Sequence, residues 1–569
     1  MSGGNNKACP PVRTKDGNVI TNEVKQMERW KEHFEEVLNI NTEINPIRSQ
    51  GSGELNIGVH PPTEAEIKTA IKVLRNGKAP GCDNINAELL KIDSDFAAQK
   101  LKRITDKIWT KEEIPEDWRK GIIIKLPKKG DRSKCDNWRG ITLLSIPGKV
   151  LCRVIVNRIQ VQVDEKLRDK QAGFRKGRGC ITQIHTLRNI IEQCIEWKHP
   201  LFVNFVDCRK AFDSVQRESL WEILHEYGIP VKLITIIKKI YEDQQCSVEH
   251  DGSLTEWFMV KTGVRQGCVM SGLLFLVAID WVMKKVDRTT RSKGINWSGL
   301  RKLGDLDFAD DIALLASTKR GIQMRTEKLE EIAKEVGLHI NYTKTKAMTI
   351  GTNTAESIEI NQQRVEVVKN FTYLGSVLDA SGGSSVDIMN RLKKARSTFF
   401  NMRTICKSNI YSLRTKLKIF NCSVMSVLLY GAECWGINQA DGDKLDAFQR
   451  KSLRTILGVF WPRKISNEEL QERVPHRPVT SIIKERRWRW IGHVLRMDIS
   501  EDAVIAMKWE PPGKRSRGRP KNTWRRMVES ERQLYGWKIW AEARCVAKSR
   551  ERWRGTTSAP SNGWSNGIT

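Results

Sequence analysis

This sequence lacks paired cysteines and long apolar runs, and it has few acidic side chains relative to basic ones. Its 13 cysteines are scattered with no CxxC pair, so neither a zinc ribbon nor a disulfide framework is indicated, and we expect a reducing, intracellular setting. No stretch reaches the roughly 18 apolar residues that a membrane span needs, because the longest candidate, residues 271–285, is interrupted at Asp280. The N-terminus also has no apolar signal-peptide core.

Acidic residues are heavily outnumbered. The 569 residues include 97 Lys and Arg against 67 Asp and Glu, a formal net charge of +30. This excess does not specify a fold, but it favours a polyanionic partner, either nucleic acid or an acidic surface. The length is enough for several domains of about 100–200 residues each.

Apolar periodicity divides the chain into helical and mixed stretches. It predicts an amphipathic helix over 22–39, a linker over 40–60, and a helix start in 61–74 with Thr63 as cap and Glu66 three residues later. Short apolar runs then predict strands at 121–127, 201–207 and 307–316. Residues from about 385 to 460 are typical of helices, and Arg and Lys alternate with Trp beyond 484.

Two adjacent acids, Asp310 and Asp311, interrupt the apolar run DLDFADDIALLAS (305–317). A tight β-hairpin would hold both at its turn. A surface turn is the simplest explanation, since Asp is common in turns. However, adjacent carboxylates raise each other's pKa unless a cation lies beside them, and Mg²⁺ binds through one or two protein carboxylates plus substrate phosphates.

A two-metal phosphoryl-transfer site needs a further acid from elsewhere in the chain. Asp207 is the best candidate, because it ends the strand-like run LFVNFVD and precedes a helix-like CRKAFDSV. Solvation of a strand end or capping of a helix explains Asp207 equally well. Asp213 competes for the same role, although its later place in the turn favours a structural one.

The order of these motifs over most of the chain resembles the reverse transcriptases of non-LTR (LINE-type) retrotransposons. The segments that carry the resemblance are FADD (308–311), FVDCRKAFDSV (205–215), GVRQGCVMSGLLF (263–275), KAPGCDNINAELLK (78–91), 121–151, 171–184, LHINYTKTKAM (338–348), FTYLGSVLD (371–379) and RRWRWIGHVLRM (486–497). The resemblance implies an α+β right-hand polymerase of fingers, a palm with an antiparallel sheet and a helical thumb, followed by a basic helical C-terminal region. We expect the following boundaries: an N-terminal connector with one helix at 1–60, fingers and palm at 61–384, thumb or connection at 385–483, and a basic, Trp-rich nucleic-acid-binding region with a disordered end at 484–569.

The resemblance also implies the cofactor and the substrates. Asp207, Asp310 and Asp311 would hold two Mg²⁺ ions, for which Mn²⁺ could substitute. The partners would be an RNA template, a DNA primer or target, and dNTPs, in the nucleus or in a cytoplasmic ribonucleoprotein. Nothing before residue 60 is long enough for an endonuclease domain, so we expect a truncated or partial element whose target DNA is cut by another protein.

Further residues match nucleotide-contacting positions of the family. Arg139 and Lys125 would clamp phosphates, Gln266 and Gly267 would approach the base pair, and Lys344 would supply a proton or charge to the leaving pyrophosphate. Arg265 would contact nucleic acid. For each basic residue the alternative is a solvated surface charge.

Phe212 lies five residues after Asp207, where the family carries an aromatic ring below the sugar. A ring there would collide with a ribose 2′-OH and so select deoxynucleotides. Ordinary packing in an apolar core is the alternative explanation for Phe212.

The C-terminal region offers two interpretations. Residues 484–554 contain 20 Lys and Arg, 9 Asp and Glu, and seven tryptophans. Cations that reach phosphates and rings that stack on bases would form an RNA or single-strand surface, with Arg486, Arg487 and Arg489 in contact. Alternatively, the tryptophans form a small helical core with basic outer faces. Arg517 and Arg519 lie in RGRP, which resembles an AT-hook core and equally suits a basic linker.

The sequence therefore predicts an RNA-directed DNA polymerase. A catalytically inactive nucleic-acid-binding remnant of such an element is the alternative, which the three retained acids disfavour. Phe212 disfavours an RNA-directed RNA polymerase. The oligomeric state is not predicted.

Overall fold

The computed structural model describes residues 11–40, 47, 53–352, 357–515 and 522–557. Parts of the predicted 40–60 linker, Arg517, Arg519 and the predicted disordered end fall outside these residues. The chain forms two compact units. The first comprises residues 1–176, 207–289 and 327–341, and the second comprises residues 177–206, 290–326 and 342–569.

Helices and strands alternate along the chain as follows. The strands are β1 (Val12–Arg13), β2 (Val19–Ile20), β3 (Lys120–Pro127), β4 (Trp138–Leu144), β5 (Leu201–Val206), β6 (Gln245–His250), β7 (Ser253–Leu254), β8 (Phe258–Met259), β9 (Ile295–Ser298), β10 (Arg301–Leu303), β11 (Asp305–Phe308), β12 (Asp311–Ala316), β13 (Lys346–Ile350), β14 (Glu359–Ile360), β15 (Gln363–Arg364), β16 (Glu366–Val367), β17 (Asn370–Tyr373) and β18 (Ser376–Asp379). The α-helices are α1 (Glu23–Leu38), α2 (Glu64–Lys72), α3 (Ala87–Ile92), α4 (Ser94–Lys111), α5 (Glu116–Arg119), α6 (Ile146–Lys166), α7 (Cys180–Glu196), α8 (Ala211–Ser214), α9 (Arg217–Glu226), α10 (Val231–Tyr241), α11 (Ser271–Thr290), α12 (Lys319–Glu335), α13 (Ser385–Asn401), α14 (Arg403–Lys407), α15 (Leu413–Ile419), α16 (Ser426–Leu428), α17 (Gln439–Ile456), α18 (Asn467–Arg473), α19 (Val479–Leu495), α20 (Asp502–Ala506), α21 (Trp524–Leu534), α22 (Trp540–Ala547) and α23 (Arg550–Thr557).

The first unit is built on a five-stranded sheet in which β3 lies between β4, antiparallel, and β6, parallel. Strands β7 and β8 pair with β6. Helix α1 presents Trp30 and Phe34 to Ile123 and Val248 of this sheet, which matches the apolar spacing of the sequence. The sheet therefore holds the β3–β4 hairpin, which carries Arg139, in a fixed register.

The second unit contains a five-stranded sheet in the order β11–β12–β5–β13–β16. Each of its first four strands is antiparallel to its neighbours among them. All six residues of β5 are buried, so this central strand is a continuous apolar run interrupted only by Asn204. The Asn204 amide nitrogen donates to Thr326 Oγ1 at 3.0 Å, which gives this donor a partner inside the sheet.

Helix α11 explains why an acid interrupts the longest apolar run. Asp280 is fully buried and accepts hydrogen bonds from the Tyr227 hydroxyl at 2.6 Å and from the Arg168 backbone N–H at 3.0 Å. The carboxylate is thus paired inside the first unit, as a buried charge must be. None of the helices in the described ranges is both long and apolar enough to cross a bilayer.

The N-terminal local predictions are confirmed. The helix predicted over 22–39 is α1, and the predicted helix start is α2, where Thr63 and Glu66 form a complete capping box. The predicted strands at 121–127 and 201–207 are β3 and β5. These elements have local signals, namely a cap, a period or a short apolar run, that need no tertiary information.

The tryptophans of the C-terminal region form a helical core. Trp488, Trp524, Trp537 and Trp553 are buried together, and Trp537 stacks on Trp553 with ring centroids 5.1 Å apart. The Trp488 indole N–H donates to Glu531 at 2.6 Å. Of the two interpretations of this region, the structure supports the helical core, because these rings are not accessible to bases.

Candidate active site

The predicted hairpin is confirmed, but only Asp310 lies in its turn, because Asp311 is the first residue of β12. Strands β11 and β12 pair in register, with Phe308 opposite Asp311, so that Ala309 and Asp310 alone form the turn. Ala309 has φ 56°, a left-handed conformation that costs a non-glycine residue roughly 1–2 kcal/mol. Asp310 is half-buried and Asp311 is exposed.

Asp207 directly follows the strand that pairs with this hairpin. In the second unit, Val206 is opposite Ile312, the neighbour of Asp311, so β5 ends where β12 begins. Within the first unit, the Asp207 carbonyl accepts the Asn341 N–H at 2.7 Å, which fixes the backbone of the acid.

A buried ion pair supports the hairpin from inside the second unit. Arg325 on α12 lies 3.0 Å from Asp305 on β11, and its guanidinium also donates to Thr290 Oγ1 at 3.0 Å. A side chain at Gly304 would collide with this guanidinium, with a Cβ only 2.2 Å from its central carbon. Tyr373 on β17 donates to the Leu306 carbonyl at 2.9 Å. The strand that leads to the two acids is therefore held by α12 on one side and by β17 on another.

A carboxylate–amide pair forms a second polar cluster, in the first unit. Gln266 Nε2 lies 2.8 Å from Oδ1 and 2.9 Å from Oδ2 of Asp213 and donates to both. Burial raises the pKa of Asp213 to about 6, against the Gln266 hydrogen bond and the charges of Lys210, Lys128 and Arg139, which lower it. Both side chains line a cavity of about 30 Å³.

The loop that carries Gln266 is fixed through its backbone. The Gln266 carbonyl accepts the Thr142 N–H of β4 at 2.7 Å. Gly267 has φ 122°, and a Cβ there would lie 2.3 Å from the Thr142 carbonyl oxygen. Glycine at 267 therefore permits a close approach to the backbone of strand β4. The predicted approach of Gln266 and Gly267 to a base pair stays a prediction.

Phe212 is half-buried on the short helix α8. Its ring stacks on Phe275 of α11, with centroids 4.4 Å apart and planes at 15°, and meets Phe174 edge-on at 6.1 Å. The Val264 N–H donates to the Phe212 carbonyl at 2.7 Å. The ring is thus anchored next to the Gln266 loop, with part of its surface left accessible.

The basic group around Asp213 is larger than the sequence suggests. Arg139 is exposed on β4, opposite Leu126 of β3. Sequence reasoning missed Lys128 and Lys210. Their charges lower the pKa of the Asp213 carboxyl, as the charge of Arg139 does. The run PKKGD at the tip of the β3–β4 hairpin was the signal available for Lys128.

Two predicted contacts of this unit need revision. Arg265 is 4% exposed, and its guanidinium donates to the backbone carbonyls of Trp118 and Ile240, so the predicted contact with nucleic acid is wrong and its role is to brace the loop. Lys125 Nζ lies 2.7 Å from His250 Nδ1 and 5.0 Å from the Trp30 ring centroid. Phosphate binding by Lys125 would require it to leave both partners.

The C-terminal arginines differ in their exposure. Arg487 is 2% exposed and forms an ion pair with Glu531 at 2.5 Å, so its predicted contact with nucleic acid is wrong, because the charge is neutralised inside the core. Arg486 pairs with Glu433 at 2.9 Å. Arg489 is exposed and pairs with Glu485 on its own helix. Lys344 is exposed in the loop before β13.

The donor set at the hairpin consists of hard carboxylate oxygens, the ligands that Mg²⁺ prefers. Asp310 and Asp311 belong to the second unit and Asp207 begins a segment of the first. Within the described ranges, no three His, Cys, Asp or Glu side chains are gathered closely enough to form a complete metal site. The chemistry of the residues fits magnesium, and the three-acid set stays a prediction.

Comparison with known proteins supports this interpretation of the motifs. Residues 126–378 match the family model described as reverse transcriptase (RNA-dependent DNA polymerase). The chain is 26% identical over 444 residues to the RNA-directed DNA polymerase from mobile element jockey of Drosophila melanogaster, which covers 74% of this chain and 47% of that protein. It is also 26% identical over 469 residues to the probable RNA-directed DNA polymerase from transposon BS of the same organism, covering 78% and 51%.

A likeness is also found among solved structures. The structure of apo telomerase from Candida tropicalis has a TM-score of 0.40 and 15% identity, over 72% of this chain and 68% of that chain. The present chain spans about half the length of the jockey and BS proteins.

Proposed function

Because the chain belongs to the reverse transcriptases of non-LTR retrotransposons, we propose that it copies RNA into DNA by nucleotidyl transfer. The observation that carries the proposal is the β11–β12 hairpin, which places Asp310 in its two-residue turn and Asp311 at the first position of β12. The partner strand β5 leads directly into a third acid. Ala309 in this turn has a left-handed backbone conformation, and residues in such strained conformations cluster at active sites.

In the proposed enzyme, Asp207, Asp310 and Asp311 hold two magnesium ions, which when bound supply the charge that activates the primer 3′-OH and neutralises the triphosphate. The protein contributes positioning and electrostatics, which dominate phosphoryl-transfer catalysis. We propose Arg139 as a phosphate contact, because it is exposed and guanidinium geometry suits bidentate binding. Lys344 is proposed as the group that meets the leaving pyrophosphate.

Phe212 is proposed to select the sugar. Its stack on Phe275 and the hydrogen bond to its carbonyl fix the ring, and a fixed ring excludes a 2′-OH by collision. Gln266, whose amide is oriented by Asp213, is proposed to contact the incoming nucleotide. These roles fit a right-hand polymerase with fingers and palm in residues 61–384, a helical thumb in 385–483 and an accessory region beyond 484.

The test is extension of a DNA primer on an RNA template by the purified chain with Mg²⁺ and dNTPs. We expect full-length DNA, synthesis that requires Mg²⁺ or Mn²⁺, and little product when rNTPs replace dNTPs. Binding of primer–template without extension under any divalent metal would support the inactive remnant instead.

A further inference from the structure

Two exposed aromatic side chains of the second unit lie outside the tryptophan-rich region, in the loop between α17 and α18. Trp461 is 79% exposed and Phe460 is 51% exposed. Pro462, Arg463 and Lys464 follow them and are exposed as well. We call residues 460–464 the aromatic tip.

The aromatic tip is presented by a firmly anchored loop. Val459 and Ile465, its two flanking residues, are buried in the core of the helical region. Arg454 Nη2 donates to the Ile465 carbonyl at 3.2 Å and to Asn467 Oδ1 at 2.9 Å. The two ends of the loop are thus held together, and Phe460 and Trp461 are projected outward at little entropic cost on binding.

The sequence that contains the tip carries charges of one sign. Between Asp446 and Glu468 the sequence has five basic residues, Arg450, Lys451, Arg454, Arg463 and Lys464, and no acid. Lys464 Nζ lies 4.7 Å from the Trp461 ring centroid. Cations beside accessible rings provide both halves of single-strand recognition, because the cations meet phosphates and the rings stack on bases.

We infer that the aromatic tip is a binding site for a single-stranded RNA segment, on which Trp461 stacks a base. The choice of RNA rests on the proposed function, in which the template is the single-stranded substrate. A second copy of this chain is a poor occupant, because the tip and a chain of net charge +30 would repel each other. The sequence suggested a stacking surface on the C-terminal tryptophans, but the structure buries Trp488, Trp524, Trp537 and Trp553.

The experiment measures binding of the full chain to a fluorescein-labelled, unstructured RNA by fluorescence anisotropy, without metal or dNTPs. We expect Trp461→Ala to weaken binding at least about fivefold, and Trp461→Phe to restore most of the loss. Trp257→Ala is the matched control, since Trp257 is also exposed, at 37%, and has Lys120 Nζ 5.5 Å from its ring centroid. We expect this control to bind like wild type.

Charge and stacking are separable in the same assay. Arg463→Gln should reduce the slope of log affinity against log salt by about 0.7, the value for one lost phosphate contact on a single strand. Trp461→Ala should leave that slope unchanged. RNA that contains 5-iodouracil should crosslink on irradiation to a peptide with residues 460–461.

Four results would overturn the inference: unchanged affinity of Trp461→Ala for RNA, an equal loss in Trp257→Ala, a loss with single-stranded DNA but not with RNA, or a shift only in self-association by sedimentation. Because binding is measured without nucleotides, a chain that binds through Trp461 and never extends a primer would refute the polymerase proposal and leave this site standing.

Discussion

Gln266 and Asp213 form a bidentate hydrogen-bonded pair, in which one amide nitrogen reaches both carboxylate oxygens at 2.8 and 2.9 Å. The two residues are 53 positions apart. The pair orients the Gln266 amide only while Asp213 can accept both bonds, and burial raises the pKa of Asp213 to about 6. Protonation near that pH converts one oxygen into a donor.

We therefore expect kcat/KM for the incoming dNTP to fall as the pH falls through about 6, because Asp213 takes up a proton and releases one Gln266 bond. In Asp213→Asn the step near pH 6 should be absent and kcat/KM should be low throughout, since an amide offers one acceptor oxygen. The pH profile of steady-state extension measures both effects.

The contribution of Asp213 to the stability of the fold should change with pH in the direction opposite to kcat/KM. The folded-state pKa of Asp213 lies above its ordinary 3.8, so ionisation of this carboxyl opposes folding as the pH rises through about 6. Asp213→Asn should therefore not destabilise the fold above that pH. An activity loss that follows a drop in stability would contradict the positioning role.

Replacing Phe212 with Val should lower sugar discrimination. We expect the ratio of kcat/KM for dNTP to kcat/KM for rNTP to fall at least about tenfold, because the collision with the 2′-OH is removed. Phe275→Leu is an informative companion, since it removes the ring on which Phe212 stacks and should lower the ratio less. An unchanged ratio in Phe212→Val would assign the ring to core packing.

Breaking the Arg325–Asp305 pair should destabilise the second unit. Both side chains are at most 1% exposed, and Arg325→Met would leave the Asp305 carboxylate buried without its cation, which costs about 3–5 kcal/mol. Lys328→Ala is the control, because its pair with Glu331 on the same helix is exposed and worth at most about 1 kcal/mol. Urea unfolding of both variants makes the comparison, and equal shifts would refute a structural role for the buried pair.

Two tryptophans of the second unit should differ in how much each contributes to the free energy of unfolding. Trp488→Ala should cost about 3–5 kcal/mol of unfolding free energy, because it empties a buried aromatic site and leaves Glu531 without its indole donor. Trp461→Ala should change stability by less than about 0.5 kcal/mol, because the ring lies in solvent. Urea unfolding monitored by circular dichroism would distinguish them, and a stable Trp488→Ala would contradict the core assignment.

Local signals predicted the framework of the site. The hairpin around Asp310 and the strand before Asp207 follow from apolar runs that flank polar tips, and the Thr63 capping box follows from two residues three apart. Such features depend on neighbours in the sequence. They therefore do not need the tertiary fold.

Side-chain partners from distant segments were not predictable. Arg265 stands in a motif that suggests a substrate contact, yet carbonyls from α5 and α10 surround its guanidinium. The same holds for Arg487, whose acid partner is 44 residues away. Conversely, nothing in the local pattern marked Trp461 as more exposed than the tryptophans that follow it, because exposure is decided by which helices pack together.

The central claim is that the acids at the β11–β12 tip catalyse DNA synthesis on RNA, and single-turnover primer extension tests it most directly. The assay compares wild type, Asp310→Asn and Asp251→Asn, where Asp251 is an exposed acid in the unrelated β6–β7 turn. We expect Asp310→Asn to lose at least about a hundredfold in rate with unchanged primer–template affinity, and Asp251→Asn to match wild type. Equal extension rates in all three proteins would contradict the account.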